Sequence, residues 1–129
     1  MEIPSHWDEK YVITFLYISI SVSDSIVTSK ETTVLNNNLD KLLREYFHLS
    51  ELEKEKIISE VLSFKIVKEE ERREAIKLMS EKVNLDMQTY LYMVDRLNEI
   101  IHSDKYVAIE EHSLMYYIRL MFNKNYPQR

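Results

Sequence analysis

SDKYVAIEE, residues 103–111, echoes SDSIVTSKE, residues 23–31, at an offset of eighty positions. Four of the nine positions are identical: Ser23/Ser103, Asp24/Asp104, Val27/Val107 and Glu31/Glu111. Each copy follows a long apolar run and opens another helical stretch. Ile20 also aligns with Ile100, and Val34 with Leu114. The pattern reads as an internal duplication of a helix–corner–helix unit. Each residue type has a local role in such a corner. The aspartate ends one helix, where its carboxylate accepts from backbone N–H groups of the turn. The valine three positions later turns inward. Thr28 or Ala108 then stands at the N-cap of the next helix, and Glu31 or Glu111 at N3 can reach back to the N-cap amide.

Composition agrees with an all-α fold. The 129 residues hold no glycine and no cysteine, where average usage of roughly 7% would supply about nine glycines. Pro4 and Pro127 lie near the two ends, so nothing between them is forced to break a helix. Glycine-rich phosphate loops and dinucleotide fingerprints are excluded, because both need glycine for close backbone approach. Disulfides and thiolate metal sites are excluded with the cysteines. The net charge of −5 comes without a dense Lys/Arg stripe, so no nucleic-acid partner is expected. The opening MEIPSHWDEK lacks the basic start of a signal peptide. The most apolar run, YVITFLYISISV at 11–22, is shorter than the roughly 20 residues of a membrane span. A central buried helix, no direct membrane span and a cytoplasmic location are the expectations.

Six helices follow from caps and periodicity. Ser5 with Asp8 predicts a capping box and a helix over 6–23. Thr28 with Glu31 opens a second over 29–47, with Val34, Leu35, Leu39, Leu42, Leu43 and Phe47 inward. Ser50 with Glu53 opens a third over 51–63, with Leu52, Ile58, Val61 and Leu62 as its stripe. Glu69, Glu70 and Glu71 favour the start of a fourth over 69–83. Asp86 caps a fifth over 87–103, striped by Met87, Tyr90, Leu91, Val94, Leu97 and Ile101. The last, over 109–124, carries Leu114, Tyr117, Ile118 and Met121. Connections are short, so consecutive helices are expected side by side in one compact domain over 1–129, with its core at about 6–124.

The corners DSIVTSKE, 24–31, and DKYVAIEE, 104–111, resemble the TerB-like (tellurite-resistance TerB) family over roughly residues 8–124. Members carry two copies of a motif close to D-G-x-[I/V]-[S/D]-x-x-E between consecutive helices of an all-helical domain. The Asp, the inward β-branched residue and the final Glu match in both copies. The family's glycine is Ser25 in one copy and Lys105 in the other. The resemblance implies divalent-cation binding through acidic residues, a stress response to metal compounds, and work beside membrane-embedded partners of the same system.

The candidate ligands are therefore Asp24 and Glu31 at the first corner and Asp104, Glu110 and Glu111 at the second, for a divalent cation such as calcium. Calcium prefers six to eight oxygens, so water, backbone carbonyls or a partner would complete either set. The residues also admit a second reading, in which Asp and Glu only cap helices. His102 and His112 flank the second corner without the spacing of a zinc helix motif and read as surface residues. Tyr90, Tyr92, Tyr116 and Tyr117 are expected to gather where the last two helices pack. No nucleophile stands with a recognisable base, so no enzyme is expected. The expected function is a non-catalytic accessory module of the metal or tellurite stress-response type. The alternative is a helical protein-interaction domain that has kept the fold and lost the ion.

Overall fold

The computed structural model describes residues 1–22, 29–64, 69–103 and 109–123. Six helices form among them, and no strand: α1 Glu9–Ser21, α2 Ser29–Asp40, α3 Glu51–Ser63, α4 Glu69–Lys82, α5 Met87–Ile101 and α6 Ile109–Phe122. The all-α bundle read from the missing glycines is thus the architecture observed. α2 runs on into a π-helical segment, Lys41–Tyr46.

The duplication is visible in the boundaries. α1 ends at Ser21 and α5 at Ile101; α2 starts at Ser29 and α6 at Ile109. Both pairs of boundaries are eighty residues apart. α1 packs on α2 and α5 on α6, as hairpins joined by short connections. α1 also packs on α5, α2 on α5 and α6 on α1. These are the contacts that a helix pair and its copy make about an approximate two-fold axis. The inward positions repeat as well: Ile13 with Met93, Tyr17 with Leu97, Ile20 with Ile100 and Leu42 with Phe122 are all buried. α3 closes one side against α1, and α4 the other against α6.

Side-chain caps explain three of the starts. Ser50 Oγ accepts from the Glu53 amide, and Glu53 Oε1 accepts from the Ser50 amide, so the capping box at α3 is complete. Asp86 Oδ1 accepts from the Thr89 amide at 2.7 Å. α1 departs from the expectation. Its N-cap is Asp8, whose carboxylate accepts from the Lys10 amide, and Ser5 lies in a preceding turn closed by Trp7 N–H on the Pro4 carbonyl. That turn lets Trp7 enter the core, stacked on Tyr11 with ring centroids 5.6 Å apart and tilted against Phe64 at 4.9 Å. The cap of α2 at Thr28 and the inward valines Val27 and Val107 lie outside the described residues.

Some stripes are turned from the expected face. In α3 the buried residues are Ile57 and Val61, while Leu52 and Leu62 face solvent. In α5 Met93 and Ile100 join Tyr90, Leu97 and Ile101 inside, and Met87 and Leu91 are exposed. Each apolar stretch offers more than one i, i+3, i+4 set, and the neighbouring helix decides which set is buried.

Candidate functional site

At the two corners the structure brings the glutamates into equivalent places. Glu31 and Glu111 are each the third residue of their helix, α2 or α6. Both are withdrawn from solvent, at 5% and 2% exposure. A carboxylate in the first turn lies in the positive end of the helix dipole and within reach of the orphan amides there. Glu110, one position earlier, faces solvent. Asp24 and Asp104 lie outside the described residues, so the geometry of the full acidic set does too.

The approach to the second corner is well defined. α5 closes with His102 N–H on the Asn98 carbonyl at 3.0 Å, and Ser103 Oγ donates to the Ile100 carbonyl at 2.7 Å. The His102 ring nitrogen Nδ1 lies 2.8 Å from the Asn98 carbonyl oxygen. His102 and His112 are both exposed, and their rings meet edge to face with centroids 6.5 Å apart. Among the described residues no three His, Cys, Asp or Glu side chains gather as a metal site.

Tyr92 and Tyr116 do not meet between α5 and α6. Tyr92 stacks instead on Tyr46 of the π-helical segment, with centroids 4.3 Å apart. Tyr46 Oη lies 2.9 Å from Thr89 Oγ1. Tyr117 lies under the Arg73 guanidinium, and Tyr116 is 70% exposed. Successive residues of a helix point about 100° apart, so Tyr116 and Tyr117 cannot share one face.

A polar cluster that sequence reasoning missed lies where α1, α2 and α5 meet. Asn38 Nδ2 donates to Glu99 Oε1 at 3.2 Å and to the Val34 carbonyl at 3.0 Å. Arg96 Nη1 donates to Glu99 Oε2 at 3.0 Å, Nη2 donates to Asp95, and the guanidinium lies over the Tyr92 ring. Tyr17 projects from α1 into the same region. Burial pushes its phenol far above the usual range, Tyr92 adds to the shift and Arg96 opposes it, so the hydroxyl stays protonated. Comparing residues at the eighty-position offset would have exposed the cluster. Tyr17, Asn38, Arg96 and Glu99 correspond to Leu97, Ile118, Leu16 and Ser19.

Neither a protein-family model, a curated protein nor a solved structure matches the chain. No helix among the described residues is long and apolar enough to cross a membrane.

Proposed function

We propose that the chain is a non-catalytic TerB-like accessory module that binds a divalent cation such as calcium at its acidic corners. Asp24 and Glu31 would serve the first corner, and Asp104, Glu110 and Glu111 the second. The observation that supports this reading is the equivalent position of Glu31 and Glu111 at the start of helices eighty residues apart. A duplicated acidic corner is the feature through which the sequence resembles that family. Three carboxylates leave a hard cation short of its six to eight oxygens. Water, backbone carbonyls or a protein partner would supply the rest. A membrane-embedded component of the same stress system is the partner that the family resemblance implies.

The second reading is an interaction domain that holds no ion. It is favoured by the burial of Glu31 and Glu111, which leaves Glu110 as the one corner glutamate facing solvent. Calorimetric titration with calcium separates the two. The first reading predicts saturable heat below millimolar calcium, reduced in an Asp104→Asn, Glu110→Gln variant and lost when Asp24→Asn is added. Calcium at 100 times its dissociation constant would then add about 2.7 kcal/mol to stability. No heat up to millimolar calcium, with an unchanged melt in chelator, would leave the interaction domain.

A further inference from the structure

The duplication lets each helix face be compared with its counterpart eighty residues away. α1 is covered on its outer side by α3. Phe64, at the end of α3, meets the rings of Trp7 and Phe15 at 4.9 and 6.0 Å, and the Tyr11 hydroxyl donates to Glu60 at 3.4 Å. Trp7, Tyr11 and Phe15 are all buried. Their counterparts on α5 are Met87, Leu91 and Asp95. Among the described helices α5 packs on α1, α2 and α6, and none takes the place of α3. The face is open: Leu91 is 56% and Met87 37% exposed. A groove of about 570 Å³ lies on it, lined by Tyr46, Leu91, Tyr92, Val94, Asp95 and Asn98, so there is room for inserted side chains.

A second pair of faces shows what the fold does with a side that it leaves to water. α6 is covered by α4: Arg73 Nη2 donates to Ser113 Oγ at 2.8 Å, and the guanidinium lies over Tyr117. The counterparts on α2 are Thr33 and Asn37, both polar and exposed. The open face of α5 is different. It keeps Met87, Leu91, Val94 and the stacked rings of Tyr46 and Tyr92. Its charge is negative. Asp95 and Glu99 share the one guanidinium of Arg96, and Glu45 also acts on Tyr92.

We propose that this face of α5 docks an amphipathic helix of a protein partner, seated as α3 is seated on α1 and carrying a basic residue toward Asp95. The chain itself defines the complement. Leu91 in place of Tyr11 lacks the hydroxyl that donates to Glu60, so the partner has an apolar residue there. Asp95 in place of Phe15 lacks the ring that meets Phe64, so the partner has Arg or Lys there. The α3 of a second copy would set Glu60 against Leu91 and Phe64 against Asp95, a mismatch at both positions.

The probe is a synthetic peptide with the sequence of residues 50–64 and the changes Glu60→Leu and Phe64→Arg, titrated into the full chain and followed by NMR. Saturable shifts of the Leu91 methyl and Tyr92 ring resonances are expected, with binding about tenfold tighter than for the unchanged 50–64 peptide. Leu91→Glu, at a solvent-exposed position that the fold does not need, is expected to weaken binding about tenfold. Asp95→Lys is expected to invert the charge preference, so that a peptide with Glu60→Leu and Phe64→Glu binds more tightly than the one with Phe64→Arg. No shift at Leu91 and Tyr92 up to millimolar peptide overturns the site. Shifts centred on Trp7 and Phe15, or binding unchanged in both variants, overturn it as well. Leu91 shifts that follow the concentration of the chain alone identify the occupant as a second copy and overturn the proposal equally.

Discussion

His48 shows how a chain without glycine ends a helix. It follows the π-helical segment with φ 57°, in the left-handed region, and Leu49 N–H then closes on the Leu43 carbonyl at 2.9 Å. Histidine is among the side chains that enter this region most readily, and a β-branched residue is among the least suited. His48→Gly is expected to hold stability or raise it by up to about 1 kcal/mol, as relief of strain offsets lost backbone entropy. His48→Val is expected to lower it by about 1–2 kcal/mol. Urea titrations of the two variants give the sign directly. Ser50→Ala removes the cap of α3 and is expected to cost about 1 kcal/mol in the same assay.

Three carboxylates tie the same residue scale to pH. Hydrogen bonds from Ser50 hold Glu53 below its ordinary value of 4.5, and those from Thr89 hold Asp86 below 3.8. The hydrogen bond from His6, at 2.6 Å, holds Glu60 below 4.5. A lowered folded value means that the unfolded chain binds protons first as the pH falls. Each contribution is therefore complete above the ordinary carboxylate values and disappears as the pH drops through the lowered ones. Thermal melts are expected to hold from neutral pH to about 5 and to fall below about 4. In a chain carrying Glu53→Gln and Asp86→Asn that fall is shallower.

At the scale of elements, caps were the legible signals and helix faces were not. Ser50 and Asp86 start helices where their side chains announce it. A cap is a contact between residues three apart, so the sequence contains all of it. The π-helical segment was hidden because Leu39, Leu42, Leu43 and Phe47 suit an α-helix equally well. Its i→i−5 bond, Phe47 N–H to the Leu42 carbonyl at 3.0 Å, accompanies the docking of Tyr46 on Tyr92 of α5, and that docking is a gain no local pattern contains. Two variants test that account. Tyr46→Phe keeps the stack, loses the contact with Thr89 and is expected to cost about 1 kcal/mol. Tyr46→Ala loses both and is expected to cost about 2–3 kcal/mol, including roughly 0.5–1.5 for the aromatic pair beyond its buried area. Equal losses in denaturant titrations would mean that the stack contributes nothing.

At the scale of the molecule, the repeat made the fold legible and the site only partly so. An offset of eighty residues predicted which helices form equivalent hairpins, and α1/α2 and α5/α6 are those hairpins. It also pointed to Glu31 and Glu111. The polar junction around Glu99 escaped notice because it depends on how the two repeats differ, and Asn38 and Arg96 look like surface residues until α2 is laid on α5. Leu97 is fully buried, so Leu97→Ala is expected to cost about 2–5 kcal/mol, read from the denaturant midpoint.

The central claim is that one helix–corner–helix unit occurs twice. A crystal structure that traces residues 23–31 and 103–111 tests it most directly. The account predicts that both segments follow the same backbone course between their helices, with Asp24 and Asp104 superposing and Glu31 and Glu111 each turned to its own helix start. Different backbone courses, or Asp24 and Asp104 in unlike surroundings when α1/α2 is laid on α5/α6, would contradict it.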